Sequence, residues 1–282
     1  MNYFPIQYDE PLFRPPSEGR SIIIQVTLGC SWNKCAFCEM YTSKSFRARK
    51  EEDVFNDIDS LLPYADSIRK VFLADGDPLV LSTNRLIKIL EKLKRNFPRL
   101  QRISAYASPN NLLNKTKEEL QQIKDAGLSL LYIDLESGDN EVLGFINKGV
   151  NQSQMIEALN KSQSAGLNSS VMIINGVGGQ KFSEQHAINS AKLINAIQPK
   201  YLSTLVLHAY RGMDYLKSRL SVEFNELNQI ELIQETKTFI EHLELKESIY
   251  RSDHASNHLI LKGVLGRDKA VFLEKINGVL MM

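Results

Sequence analysis

The chain has 282 residues, and its 34 basic and 33 acidic side chains leave a formal net charge of +1. That balance lacks the basic bias of a nucleic-acid binder, and no apolar run approaches the roughly 20 residues that span a bilayer. Hydrophobic residues at 43% and charged residues at 24% are ordinary for a soluble protein with a sizeable core, and the length suits one large α/β domain or two small ones.

In chain order, the first 20 residues hold four of the nine prolines and predict an extended lead-in. Met1–Glu10 has no basic head followed by a hydrophobic stretch, and the cysteines are too clustered for a disulfide framework, so a cytoplasmic location is expected. Ser21–Leu28 is apolar and β-branched and predicts a buried strand. The spacing over Lys50–Leu62 predicts a helix, with Pro63 just past its end. Lys70–Ala74 predicts a second strand, ending in Asp75-Gly76-Asp77-Pro78. Asn84–Asn96 predicts an amphipathic helix with Leu86, Ile87, Leu90 and Leu93 on one face. Arg102–Ala107 predicts a third strand. Thr116, with Glu119 three residues on, predicts a capping box for a helix over Lys117–Ala126 that Gly127 stops.

Leu128–Leu135 predicts a fourth strand, Ser153–Ala165 a helix, Ser169–Ile174 a fifth strand, Ser183–Ile197 a helix and Tyr201–Leu207 a sixth strand. Continuous apolar strands alternating with helices imply a parallel sheet covered by helices. The remainder predicts a long helix over Glu226–Leu243, a polar run over Tyr250–His258 and a short helix near Lys269–Ile276. The expected organisation is a lead-in over 1–20, a core over 21–211 and a packed appendage over 212–282.

All three cysteines of the chain, Cys30, Cys35 and Cys38, lie within nine residues on the loop after the first strand, spaced CxxxxCxxC. The end of a parallel strand is where such sheets place ligands. Three readings compete. The cysteines are small buried hydrophobes, although polar Ser31, Asn33 and Lys34 between them oppose that. They hold zinc, which normally recruits a further Cys or His; the five histidines are remote in sequence, although His254 and His258 are HxxxH-spaced. Or they hold three irons of a [4Fe–4S] cluster, leaving the fourth open to a small molecule.

The run resembles the radical S-adenosylmethionine (SAM) enzymes, whose motif is CxxxCxxC with an aromatic residue before the last cysteine. Phe37 fills the aromatic place, and the spacing here is one residue longer. Asp75-Gly76-Asp77-Pro78 is similar to the family's segment for the SAM amino group, with Asp77 where its acid belongs. Glu136-Ser137-Gly138 resembles the segment that contacts the SAM ribose and carboxylate. Ile174 and Gly176 stand where an adenine-contacting motif would lie, without that motif's first glycine and trailing acid. The similarity spans roughly 21–211 and looks most like the coproporphyrinogen oxidase and methylthiotransferase type.

The resemblance implies a partial TIM-type (β/α)6 barrel with a small C-terminal helical appendage. It implies a [4Fe–4S] cluster on Cys30, Cys35 and Cys38, with SAM bound through Phe37, Asp75, Gly76, Asp77, Pro78, Glu136, Ser137, Ile174 and Gly176. Reductive cleavage of SAM would give a 5′-deoxyadenosyl radical that abstracts hydrogen from a small-molecule substrate. A flavodoxin or ferredoxin-type donor would supply the electron. His208, Tyr210, Arg211 and His254 are candidates to face substrate. No cysteine remains for an auxiliary cluster. The competing function is a zinc- or iron–sulfur-stabilised binding or electron-transfer module without SAM turnover.

Overall fold

The computed structural model describes residues 5–281; residues 1–4 of the predicted lead-in lie outside them. The strands are β1 Ile22–Gln25, β2 Thr27–Leu28, β3 Arg47–Ala48, β4 Lys70–Ala74, β5 Arg102–Tyr106, β6 Leu128–Glu136, β7 Asn168–Asn175, β8 Tyr201–Val206, β9 Ile249–Arg251 and β10 Lys262–Val264. The helices are α1 Glu51–Ser60, α2 Thr83–Asn96, α3 Pro109–Leu113, α4 Lys117–Ala126, α5 Asn140–Phe145, α6 Gln152–Ser164, α7 Gly179–Ile197, α8 Met213–Arg219, α9 Gln229–His242 and α10 Lys269–Leu280. The main sheet has eight strands in the order β1-β4-β5-β6-β7-β8-β9-β10, and β2 and β3 form a separate pair. The fold is α/β with a mostly parallel sheet, as the alternation predicted.

The chain divides into two compact units, 1–33 with 38–132 and 160–168, and 34–37 with 133–159 and 169–282. In the first unit β1 pairs with β4, β4 with β5, and β5 with the start of β6, all parallel. Leu86, Ile89, Leu90 and Leu93 of α2 and Leu120 and Ile123 of α4 are buried. Thr116 and Glu119 form the predicted capping box, and Gly127 ends α4 at φ +128°. Alternation along the strands puts Phe72, Tyr106 and Tyr132 on one sheet face, where the Phe72 ring meets Tyr106 edge-on at 5.0 Å. The lead-in is anchored: Glu18 is buried and accepts from the Tyr132 hydroxyl at 2.7 Å and from Arg102 at 2.7 Å.

The predicted strand over Ser21–Leu28 is cut in two. β1 ends at Gln25, and Thr27–Leu28 pairs antiparallel with Arg47–Ala48. Val26 N–H still donates to the Ala74 carbonyl, at 2.6 Å, so the chain leaves the sheet there and launches the cysteine loop.

In the second unit β7 pairs with β8 and β8 with β9 in parallel, and β10 closes antiparallel on β9. The region read as a helical appendage thus also supplies two sheet strands. Tyr250, assigned to a polar run, is a fully buried residue of β9 whose ring lies 5.7 Å from Phe272 of α10. Helix α7 packs on α9, and α9 on α10. No helix among the described residues is long and apolar enough to cross a membrane.

Candidate functional site

In the first unit the loop after β2 begins at Gly29, whose φ of +72° suits glycine. Asp75 holds this turn. Its carboxylate accepts from Gly29 N–H at 3.0 Å and from Gln25 at 2.9 Å, and pairs with Lys44 at 3.0 Å. Gly76 lies so close that a Cβ there would stand 3.0 Å from the Cα of Cys30. Asp77 differs from Asp75. It is 1% exposed, and its Oδ2 accepts from Ser31 at 3.3 Å and from Asn111, while its Oδ1 has no partner. Burial raises its pKa. Pro78 then opens a short 3₁₀ turn. Asn33, at φ +48°, donates its backbone N–H to the Cys30 sulfur at 3.4 Å.

In the second unit the loop segment 34–37 is clamped by its backbone. Ala36 N–H donates to the Ile146 carbonyl at 2.8 Å, Asn147 donates to the Lys34 carbonyl at 3.1 Å, and Arg219 donates to the Cys35 carbonyl at 3.0 Å. Glu136 closes β6 at φ +69°. Its Oε1 pairs with Lys148 at 3.1 Å, and its buried Oε2 has no partner. Burial raises its pKa to about 7, against the pull of the Lys148 ammonium and with help from Asp134. For Lys148, burial acts downward, yet Glu136, Cys35 and Asp134 together hold its pKa above the ordinary value. Ser137 shares a 2.8 Å hydrogen bond with Nδ1 of buried His186, and Gly138 N–H donates to Ser190 at 2.8 Å. Ile174 is buried at the end of β7, and Gly176 follows at φ +81°, its N–H donating to Glu235 at 2.6 Å.

The substrate candidates after β8 stay near one another. The His208 ring meets Tyr210 edge-on at 4.6 Å, Tyr210 is 78% exposed, and Arg211 stacks over Tyr215 at 4.2 Å. His254 turns back on its own loop: its Nδ1 bonds Ser256 at 2.8 Å, and Ser256 in turn accepts Val206 N–H at 3.1 Å. Asn257 and His258 line, with Asn175 and Thr204, a cavity of about 20 Å³, room for about one water. Lys148, Asn111, His186 and Glu235 were missed in the sequence. Only Glu235 had a signal, an acid on the apolar face of α9 between Leu232 and Phe239, both buried.

The sequence profile of the radical SAM superfamily matches residues 24–194. The chain belongs to the radical SAM superfamily. Radical SAM enzymes use a [4Fe–4S] cluster and SAM, and this chain is an enzyme of that class. Among its relatives is an uncharacterized methyltransferase of Pyrococcus horikoshii, 22% identical over 92% of this chain and 56% of the relative. The heme chaperone HemW of Bacillus subtilis is 23% identical over 49% of this chain and 37% of its own length. The chain thus spans little more than half, or less, of these relatives. Among solved structures, coproporphyrinogen III oxidase (HemN) of Escherichia coli superposes with a TM-score of 0.60 at 16% identity, covering 78% of this chain and 52% of that one. Methylornithine synthase (PylB) gives 0.54 at 15% identity, covering 91% and 68%. These show the fold shared with radical SAM enzymes.

The residues present fit the radical SAM cofactors. None of the three cysteines is in a disulfide and all are half-buried, and soft thiolates suit iron–sulfur clusters. Among the described residues no three His, Cys, Asp or Glu side chains are drawn together as a metal ion would hold them, so the ligand assignment rests on spacing and thiolate chemistry. Each unit also carries a buried carboxylate oxygen without a partner, on Asp77 and on Glu136. Such groups are costly unless something binds them, and both occupy positions assigned to SAM from the motif.

Proposed function

We propose that the chain binds a [4Fe–4S] cluster through Cys30, Cys35 and Cys38 and binds SAM beside it, and acts on a small-molecule substrate. Bound together, cluster and SAM supply a one-electron cleavage that yields methionine and a 5′-deoxyadenosyl radical able to take hydrogen from a substrate carbon. The chain's own residues bind and orient. Asp77 accepts from the SAM ammonium, Glu136 accepts from ribose hydroxyls, and Ile174 with Gly176 borders the adenine. Asp75 acts one step back, holding the turn that carries Cys30.

The observation that carries this reading is Asp77: a buried carboxylate next to Gly76, which lies against Cys30, with one oxygen held by Asn111 and Ser31 and the other without a partner. A small substrate accords with the net charge of +1, and a flavodoxin or ferredoxin-type donor in the cytoplasm accords with thiolate ligands kept reduced. The test is anaerobic. Protein reconstituted with iron and sulfide and reduced with dithionite gives a [4Fe–4S]⁺ EPR signal that shifts on adding SAM, and 5′-deoxyadenosine appears by mass spectrometry. Asp77→Ala keeps the cluster signal and loses the SAM shift. A stably bound zinc, or a cluster indifferent to SAM, defeats the reading.

A further inference from the structure

Helix α7 carries Ser183, His186 and Ser190 along one stripe. His186 is 1% exposed and Ser190 fully buried. Aliphatic side chains there would pack against the second unit at no desolvation cost, whereas buried polar groups need partners. Apart from a 3.5 Å contact between Ser190 and His186 Nδ1, the partners lie on a loop end assigned to SAM or on one acid of α9. His186 Nδ1 bonds the Ser137 hydroxyl at 2.8 Å. Ser190 accepts Gly138 N–H at 2.8 Å. Glu235, 3% exposed, accepts Gly176 N–H on Oε1 at 2.6 Å and the Ser183 hydroxyl on Oε2 at 2.6 Å, with His186 Nε2 3.9 Å from Oε1. Gly138 is seated directly on the helix, where a Cβ would meet the Asn189 carbonyl oxygen at under 3 Å.

We propose that His186 and Glu235 are positioning residues that lock the loop after β6 and the loop after β7 into one SAM-binding edge. The inference rests on the SAM assignment of those loops made above. His186 holds Ser137 and lies 3.9 Å from Glu235, which holds the Gly176 amide, so the two side chains together span both loop ends. Glu235 fixes the Gly176 amide, and it stands outside the 24–194 segment matched by the family profile. The α9 region therefore takes part in shaping the cofactor site. Neither side chain is assigned contact with SAM; each acts through a residue that is.

The experiment uses the full chain, reconstituted anaerobically, as wild type, His186→Phe, His186→Gln and Glu235→Gln. The readouts are the SAM dissociation constant by equilibrium dialysis, iron content, and the reduced-cluster EPR signal without SAM. His186→Phe removes the bond to Ser137 and the polar neighbour of Glu235 and weakens SAM binding about tenfold, with iron content and the SAM-free signal unchanged. His186→Gln, which keeps a donor and an acceptor, recovers most of that loss. Glu235→Gln, near in shape, loses one acceptor and weakens SAM binding about threefold; it carries the test should His186→Phe fail to fold. Wild-type SAM affinity in both His186→Phe and Glu235→Gln overturns the inference while leaving the proposed function intact. Failure of the wild-type, cluster-loaded protein to bind SAM overturns the proposed function, and the inference with it.

Discussion

Two aspartates separated by one glycine have opposite surroundings. Asp75 is surrounded by donors: Gly29 N–H, Gln25 and the Lys44 ammonium, whose side chain is itself buried. Asp75→Ala removes the acceptor of Gly29 N–H and Gln25 and leaves the Lys44 ammonium to Asp9 alone; it costs about 1–3 kcal/mol, read as a drop in the urea midpoint of the cluster-free protein. Asp77→Ala costs far less in the same measurement, because one of its oxygens already lacks a partner. Glu136 makes a pH prediction with two signs. Its pKa in the folded protein is about 7, above the ordinary 4.5. The folded state therefore binds more protons than the unfolded state between those values, so its contribution to stability is greatest at low pH and declines as pH rises through about 7. A ligand whose hydroxyls donate to the carboxylate behaves oppositely. SAM binding strengthens by up to about tenfold between pH 6 and 8, and in Glu136→Gln the profile is flat. A wild-type affinity that does not change over that range would remove Glu136 from the SAM site.

At the scale of elements, legibility followed the strength of the local signal. β4 matched its predicted bounds because Lys70–Ala74 is a short apolar run closed by a turn, and α4 matched because cap, box and glycine stop agree. Thr116→Ala removes the N-cap and lowers stability by about 1 kcal/mol while leaving SAM affinity unchanged, checked by denaturant unfolding and dialysis. The short helices α3 and α5 escaped notice because five or six residues show no period; proline and an aspartate cap define them instead. The cysteines could be singled out because thiolate chemistry is written in residue type and spacing, and Asp77 because it stands where the resembling family has its acid; the roles of all four belong to the proposal. Lys148 and His186 were not, since a lone lysine or a polar residue in a helix looks like surface until its burial is known. Gly138 belongs to this scale too. Its contact with α7 leaves no room for a side chain, so Gly138→Ala moves the loop off the helix and weakens SAM binding more than tenfold, with the cluster signal retained.

For the whole molecule, the boundary near residue 211 is where sequence and structure part most. Three-residue strands such as Ile249–Arg251 and Lys262–Val264 show no periodicity, so the tail looked like helices alone. The structure makes it part of the sheet: β8 pairs with β9 from Tyr201↔Ile249 to Ser203↔Arg251, and the Thr204 hydroxyl meets the Tyr250 hydroxyl at 2.7 Å. Deleting 212–282 would strip β8 of its neighbour, leave the Gly176 amide without Glu235, and expose the face of α7 that α9 covers. An edge strand with unpaired backbone groups and an uncovered apolar helix face favour aggregation. A chain ending at Arg211 is therefore expected to aggregate or stay unfolded, as judged by size-exclusion chromatography and circular dichroism. A separable appendage predicts the contrary, a monomeric 1–211 fragment that still assembles its cluster. That result would confine the role of the tail to one of closing the site.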